Sequence, residues 1–551
     1  MKNNNTKHIT VLFCTSLIIL GVNLGVMPVN IMEARNFITA REMVQDGHWF
    51  LTTLNGEPRY EKPPLPTWMT AFFGYLFGFH SVAILRISVV LVTMLLVFYI
   101  YKFSLKLGLT GQTGFQNGLI LLTSFYVYFA GRDNQWDIYC HSFMIVSIFY
   151  LWNLLRLKNG AIKNSILGGI FLAFSMLSKG PVSLYALLLP FLISYGCIYK
   201  FNFKNKKILK PLCIYILIGL IGGLSWSAYV HWMDPEHLNS MAKKETARWI
   251  NDYNSKSFFY YWSFFTQSGV WAISSLVALF YPYMKNKVSN LKAYQFTLLW
   301  TLFSLLLLSV IPEKKVRYIL PTLIPFALNT GFYIEFILKG IKNKKDSVLI
   351  KINFGLLGLV GIGYPLVLYL FFKEKITRQS DWALCSSLVL FIVGICIMYF
   401  LIKKSWYRVF NSIILLQCVV IIFVFPLAKS FLYNPNYKSV KDLHRFTTNK
   451  MTLYDYKYMS PEIVWDYEDK IPPIDKVGIR DQLVLKNKNY VGVLCFQKDT
   501  ENLIKELSSI YNVKKVSYVD LNTVAPSGKS YKERLARDFL IIYKKSNSNQ
   551  E

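Results

Sequence analysis

Long apolar runs separated by short polar segments fill most of the first 430 residues of the chain. About thirteen of these runs are long enough to cross a bilayer as helices. We predict these helices at residues 8–27, 82–101, 116–130, 138–155, 164–178, 182–199, 211–231, 259–284, 293–311, 317–338, 351–371, 384–402 and 409–428. The pattern therefore predicts an α-helical polytopic membrane protein.

The polarity of the chain changes after the last apolar run. Alternating and short apolar segments in the tail predict strands at Tyr490–Phe496, Val513–Val519 and Asp538–Tyr543, and a helix at Asp499–Tyr511. We therefore divide the chain into a transmembrane domain, residues 1–428, and a small soluble α/β domain, residues 429–551.

The chain is strongly basic, with 61 Lys and Arg against 31 Asp and Glu and a formal net charge of +30. In a soluble protein this excess would suggest a nucleic-acid partner. Here the basic residues gather in alternate short loops, for example Lys102 with Lys106 and Lys403 with Lys404. Basic loops of this kind are typically cytoplasmic. Because membrane topology already explains the excess of positive charge, we predict no nucleic-acid partner. The loops on the other side are 28–66, 131–137, 179–181, 232–258, 312–316 and 372–383, together with the tail.

Two of these outer loops carry cations on the side that normally avoids them. One contains Lys179, and the other contains Lys315 and Arg317. Charges at the membrane boundary are costly and usually functional, and Arg and Lys suit a phosphate or pyrophosphate. The alternative for Lys179 is that its side chain simply reaches the interface.

Carboxylates are also predicted at the outer membrane boundary. Glu33 and Glu61 belong to the long first outer loop, residues 28–66, and Asp137 begins the next apolar run. A structural role also explains Glu33 if it only pairs with Arg35 at the interface. Asp137 could likewise serve only to cap the N-terminus of its helix.

The outer loop at residues 232–258 is amphipathic and contains Lys244 and Arg248. With Tyr60, these residues are candidates for the side on which an acceptor binds, although a helix lying on the membrane surface explains the pattern equally well. The eight cysteines have no CxxC spacing, and we predict no disulfide framework, no metal site and no required cofactor.

Six segments resemble one known superfamily in order and spacing. They are MEARNFITAREM, NGEPRYEKPPLPTW, GRDNQWD, SKGP, FFYYW and KKVRYILP. They resemble the aminoarabinose transferase (ArnT) and protein O-mannosyltransferase superfamily of polyprenyl-phosphate-sugar glycosyltransferases, over roughly the first 340 residues. The resemblance implies a GT-C fold of about thirteen transmembrane helices with a C-terminal soluble domain.

The resemblance also implies roles for individual residues. Glu33, Asp137 and Glu61 match the family's acidic motifs and are the candidate catalytic residues. The implied donor-phosphate site consists of Lys62, Lys179, Lys315, Arg317, Tyr318 and Arg132. One departure is Met32, which stands where the family has the first acidic residue of a pair. Glu33 or Asp137 would then take that role, or the acceptor would need no base.

The implied function is transfer of a sugar from a polyprenyl carrier, undecaprenyl phosphate, to an envelope acceptor. The acceptor would be lipid A, another glycolipid or an exported protein, at the periplasmic face of a bacterial cytoplasmic (inner) membrane. Two alternatives remain. Many spans with charges at their ends also suit a transporter or flippase of a charged lipid or lipid-linked sugar, and the soluble tail suits a scaffold that contacts partners.

Overall fold

The computed structural model describes residues 2–156, 160–201, 206–250, 254–341, 344–376, 379–432, 434–447, 451–458, 460–483 and 489–545. The chain divides into two compact units. The first unit comprises Met1–Val26 and Tyr60–Leu427, and the second comprises Met27–Arg59 and Ala428–Glu551. The second unit therefore adds residues 27–59 to the tail that we delimited from the sequence.

The first unit is a bundle of apolar helices. Within the described residues, nine helices are long and apolar enough to cross a membrane. They are Val82–Lys106, Trp136–Leu155, Ala161–Lys179, Leu209–Met233, Leu291–Val310, Val316–Leu338, Asp346–Glu374, Ser380–Ile402 and Trp406–Leu427. Two shorter apolar helices are Asn5–Gly21 and Leu184–Tyr199. The predicted class, a polytopic α-helical membrane protein, is confirmed.

Two of the predicted spans are not single helices. The run at 116–130 consists of the helices Gly111–Thr123 and Phe125–Ala130, because the backbone of Ser124 is extended (φ −66°, ψ 127°). The run at 259–284 is divided into shorter pieces. These are Phe258–Tyr261, Phe264–Trp271, Ala272–Leu279 and Tyr281–Met284, with Gly269 at a positive φ of 62°. Hydropathy does not reveal such breaks because the apolar run continues through them.

Shorter helices lie between the spans. Leu65–Phe77 follows the first outer loop, and Pro235–Ile250 follows the span Leu209–Met233. The second of these helices occupies the loop for which the sequence predicted an amphipathic segment.

An aromatic cluster forms part of the core of the first unit. The ring of Phe103 lies 5.3 Å from that of Trp152, and the ring of Phe191 lies 5.2 Å from that of Trp300, in edge-to-face arrangements. All four side chains are buried. They come from four different helices, so their packing joins helices that are distant in sequence.

The second unit contains a five-stranded sheet. Its strands are Leu453–Tyr456, Pro473–Ile474, Tyr490–Phe496, Tyr511–Asp520 and Ala536–Lys544; numbered 1 to 5 in chain order, they lie in the order 2-1-3-5-4. The first three are parallel, and the other two pairings are antiparallel. The longer helices among the described residues are Ile31–Gln45, Pro461–Tyr467, Lys476–Leu483 and Gln497–Leu507. The predicted C-terminal α/β region is confirmed, including all three predicted strands. The predicted helix at Asp499–Tyr511 is found at Gln497–Leu507, because Tyr511 already begins the next strand.

A buried ion pair lies inside this sheet. Arg537 donates from Nε to Oδ1 of Asp455 at 3.4 Å, and both side chains are almost completely buried. The guanidinium also stacks on the ring of Phe496 at 3.7 Å. Burial raises the pKa of Asp455 to about 7, since loss of hydration disfavours the carboxylate more than Arg537 favours it.

Candidate active site

Three segments that are distant in sequence meet at Asp137. Asp137 lies at the start of the span Trp136–Leu155, Lys179 at the end of Ala161–Lys179, and Arg317 in the first turn of Val316–Leu338. Lys179 donates from Nζ to Oδ1 of Asp137, and Nε of Arg317 lies 3.9 Å from Oδ2. The carboxylate is thus placed beside two cations at one end of the helix bundle.

A cavity of about 270 Å³ opens beside this cluster. Its walls combine aromatic, acidic and basic side chains. They are Tyr126, Phe129, Ala130, Asp133, Gln135, Asp137, Ile138, Lys315, Val316, Arg317 and Leu320. The cavity therefore brings Asp137 together with two of the predicted phosphate-binding cations.

Arg317 combines a partly exposed side chain on the cavity wall with a buried Nε. Its side chain is 23% exposed, and among the described residues no hydrogen-bond partner contacts its Nε. A guanidinium carries five N–H donors in a planar fork. Arg317 can therefore donate hydrogen bonds to an anion in the cavity.

The ring of Tyr318 lies among three cations. Its centroid is 4.9 Å from Nζ of Lys179, 5.7 Å from Nζ of Lys315 and 5.7 Å from the guanidinium carbon of Arg317. Lys315 also forms an ion pair with Glu313 at 2.5 Å. Aromatic faces attract cations, so Tyr318 helps to hold this group of positive charges together.

The two adjacent lysines of this loop have different surroundings. Lys314 is buried and donates from Nζ to the carbonyls of Ile311 (2.5 Å) and Lys256 (3.2 Å). Burial lowers its pKa. Lys315 keeps its side chain on the cavity wall, while its backbone accepts from and donates to the hydroxyl of Tyr261 at 2.9 and 3.0 Å. Lys314 and Tyr261 thus fix the loop that presents Lys315 and Arg317.

Arg132 has a structural position. Its guanidinium donates to the carbonyls of Ile19, Leu20, Val22 and Asn23 at 2.8 to 3.1 Å. It also lies 4.8 Å from the centroid of the Phe425 ring. Burial lowers the pKa of Arg132 to about 10. Because its donors serve the backbone at the end of the first helix, we move Arg132 from the phosphate-binding candidates to the residues that hold that helix.

The other candidates of the first unit lie outside the cavity lining, as far as the described residues define it. Tyr60 is buried and donates from its hydroxyl to Asp234 at 2.7 Å, and burial raises its pKa. Glu61 is exposed and Lys62 half-buried, both just before the helix Leu65–Phe77.

The two basic acceptor-side candidates belong to one helix. Lys244 is exposed on Pro235–Ile250. Arg248 belongs to the same helix, but its side chain lies outside the described part of the chain.

Glu33 belongs to the second unit. It lies in the first turn of Ile31–Gln45 and is fully buried. Asn30 caps this helix, since its Oδ1 accepts from the amides of Met32 and Glu33, and its Nδ2 donates to Oε2 of Glu33 at 3.2 Å. An acid in a first helical turn is favoured by the helix dipole. The two main carboxylate candidates, Glu33 and Asp137, therefore belong to different units.

Several cavity residues were not identified from the sequence. Tyr126 and Gln135 line the cavity, and Tyr261 holds the Lys315 backbone. Tyr126 precedes the GRDNQWD segment, and Tyr261 belongs to FFYYW. Both segments are motifs of the sequence, but an aromatic residue in or beside an apolar run gives no signal of its own.

Apolar helices that end at a charged cavity, together with an α/β unit, are the arrangement that a GT-C fold with a C-terminal domain would give, and the comparisons agree. A family model described as dolichyl-phosphate-mannose-protein mannosyltransferase matches residues 61–226. The crystal structure of ArnT from Cupriavidus metallidurans bound to undecaprenyl phosphate has a TM-score of 0.72 at 15% identity, covering 99% of this chain and 100% of that one. The chain therefore has the fold of ArnT, and the resemblance found in the sequence is confirmed.

Curated relatives are similar over part of their length. The chain is 25% identical over 354 residues to undecaprenyl phosphate-alpha-4-amino-4-deoxy-L-arabinose arabinosyl transferase 1 of Proteus mirabilis, covering 61% of each. It is 25% identical over 354 residues to the arabinosyl transferase of the same description from Wigglesworthia glossinidia brevipalpis, covering 62% of this chain and 60% of the relative. The matched segment thus spans about three fifths of these relatives.

Proposed function

We propose that this chain is a glycosyltransferase that moves a sugar from a polyprenyl phosphate, such as undecaprenyl phosphate, to an envelope acceptor. The observation that carries the proposal is the convergence of Asp137, Lys315 and Arg317 on one cavity, with Lys179 paired to Asp137 beside it. The names of the curated relatives, which are arabinosyl transferases of an undecaprenyl phosphate sugar, support the same reaction class.

In the proposed reaction, an acceptor oxygen attacks the anomeric carbon of the sugar. The bond from that carbon to the phosphate oxygen breaks, and the lipid phosphate leaves with the electron pair. Arg317 donates hydrogen bonds to the phosphate. Lys315 leaves its ion pair with Glu313 and pairs with the phosphate instead. Hydrogen bonds from fixed cations to a charge that develops during reaction lower the barrier. The proposal includes no metal and no cofactor, because protein cations meet the negative charge.

Asp137 has two tasks in this scheme. It holds Lys179 and Arg317 by charge, and it orients the acceptor hydroxyl or accepts its proton. Glu33, which belongs to the second unit, stays a catalytic prediction from the sequence. Lys62 remains a candidate for binding the donor phosphate, and Glu61 remains a candidate catalytic carboxylate.

The acceptor is lipid A, another glycolipid or a hydroxyl of an exported protein. Tyr60, Lys244 and Arg248 are the proposed acceptor-side residues. The hydrogen bond between Tyr60 and Asp234 would anchor the loop next to the helix Pro235–Ile250. Because the basic loops predict the cytoplasmic side, the cavity and the tail would face the periplasm of a bacterial cytoplasmic membrane.

The test follows label from a radiolabelled polyprenyl-phosphate-sugar pool into envelope fractions. It compares wild type with Asp137→Asn and with Asp346→Asn. Asp346 is the matched control, because it forms a buried pair with Lys287 at 2.6 Å outside the candidate cavity. We expect label with wild type and Asp346→Asn only, and the labelled fraction identifies the acceptor. Absence of protein-dependent label with pentose and hexose donors would overturn the function, and full transfer by Asp137→Asn would overturn the site.

A further inference from the structure

A second cavity of the first unit lies among the helix ends that face away from Asp137. Its volume is about 590 Å³, within the range of small-molecule and lipid sites. Three helices form it: Asn5–Gly21, Gly111–Thr123 and the first part of Trp406–Leu427. We call this cavity the basic-end groove.

The chain order places this groove at the other ends of the spans. The helix Gly111–Thr123 begins shortly after Lys106, and the span Trp406–Leu427 begins just after Lys403 and Lys404. These lysines belong to the loops that the charge pattern assigns to the cytoplasm. The groove therefore faces the cytoplasmic leaflet, away from the candidate active site.

Each of the three helices lines the groove with polar residues at its outer end and mainly with apolar residues deeper, Thr15 being the polar exception. Lys7 and His8 precede Val11, and Gln112 precedes Leu119. At 1.5 Å per residue, the apolar residues lie about 5 to 10 Å deeper. The third helix shows the same order, from Tyr407 and Asn411 to Leu415 and Cys418. A lipid of that leaflet has the same order, with its headgroup outside and its chains inside.

The charge of the groove selects the headgroup. Lys7 supplies a cation at the polar end, and the ring of His8 stacks on that of Phe115 at 5.2 Å. Gln112, Asn411 and Tyr407 add amide and hydroxyl groups. Among the described residues that line the groove, none is acidic. A phosphate is thus met by positive charge and hydrogen-bond donors without a competing carboxylate.

We propose that the basic-end groove binds an anionic glycerophospholipid of the cytoplasmic leaflet. The phosphate lies at Lys7 and His8, and an acyl chain lies along Val11, Leu119 and Leu415. Bound in this way, the lipid joins the N-terminal helix to two helices that are distant in sequence.

The test uses full-length protein in vesicles of phosphatidylethanolamine and phosphatidylglycerol with a trace of phosphatidylglycerol that carries a diazirine on its acyl chain. After irradiation, mass spectrometry locates the label. We expect it on the peptides that contain residues 112–119 and 411–418. Lys7→Ala should lower it about fivefold, the effect of one basic residue at an anionic headgroup. Lys404→Ala, an exposed lysine at the same end, should leave it unchanged.

A second variant tests the groove without changing its charge. Leu415→Trp fills the apolar part and should remove the label from residues 112–119. Equal labelling of wild type, Lys7→Ala and Leu415→Trp would overturn the proposal, as would equal labelling by a phosphatidylethanolamine probe. Displacement of the probe by a small molar amount of undecaprenyl phosphate would also overturn it, because the occupant would then be a polyprenyl phosphate.

Discussion

The loops around Arg132 and Arg317 each place a guanidinium at the same end of the transmembrane helices, yet the two groups have different surroundings. Arg132 donates to four backbone carbonyls and is almost completely buried. Arg317 lies on a cavity wall, 3.9 Å from Asp137, with its Nε lacking a hydrogen-bond partner among the described residues. An arginine is therefore a candidate ligand when its side chain lines a cavity and its donors are not taken up by the backbone.

The comparison assigns stability to one arginine and chemistry to the other. Replacement of Arg132 should lower the stability of the fold, and should lower transfer only as far as the amount of folded protein falls. Replacement of Arg317 should change transfer and leave folding almost intact.

Arg317→Ala should have the largest effect. Removal of a hydrogen-bond donor to a developing charge typically lowers the rate by about 100- to 1000-fold. Arg317→Lys keeps the charge but loses the planar fork, so it should recover part of the loss. The measurement is sugar transfer by purified protein, with thermal unfolding as the control. Wild-type transfer by Arg317→Ala would end its assignment to the phosphate.

Arg132→Ala should lower stability by about 3 kcal/mol, because a charged donor is lost from several buried carbonyls. The carbonyls of Ile19 and Val22 are at the end of the first helix, so that helix should loosen first. Hydrogen exchange of residues 8–24 measures this directly. Unchanged exchange together with lost transfer would place Arg132 in the reaction and remove the contrast.

Tyr261→Phe should have a smaller effect, about fivefold on transfer. The hydroxyl of Tyr261 bonds both backbone groups of Lys315, and losing such a bond costs about 1 kcal/mol. The loop that carries Arg317 would then be less fixed. Tyr260→Phe is the matched control, since it changes the neighbouring phenol. Equal transfer by both variants would show that this clamp does not position Arg317.

Arg537 extends the comparison to a buried guanidinium of the second unit that is paired with a carboxylate. The pKa of Asp455 is raised to about 7 in the folded protein, so the protonated carboxyl stabilises the fold. This contribution is complete below about pH 4 and is lost as the pH rises towards 7. Asp455→Asn should remove up to ~1.4 kcal/mol of this dependence per pH unit. Hydrogen exchange of the strand Ala536–Lys544 in the intact protein at several pH values tests it. An identical pH slope in wild type and variant would contradict the raised pKa.

The sequence predicts the class of fold and several members of the cluster. Apolar length locates the spans, and charges at their ends mark Asp137, Lys179 and Arg317, because such charges are costly unless they are used. It does not predict which donors remain unused. Whether the donors of Arg132 are used depends on backbone carbonyls more than 100 residues away. For the adjacent residues Lys314 and Lys315, it depends on the local backbone geometry.

The central claim is that Arg317 binds the phosphate of the lipid carrier. Equilibrium binding of undecaprenyl phosphate to purified full-length protein tests it most directly, with wild type compared with Arg317→Ala and Arg132→Ala at equal amounts of folded protein. We expect Arg317→Ala to bind at least about tenfold more weakly, as loss of a charge-assisted pair implies, and folded Arg132→Ala to bind like wild type. Equal affinity of wild type and Arg317→Ala would contradict the account.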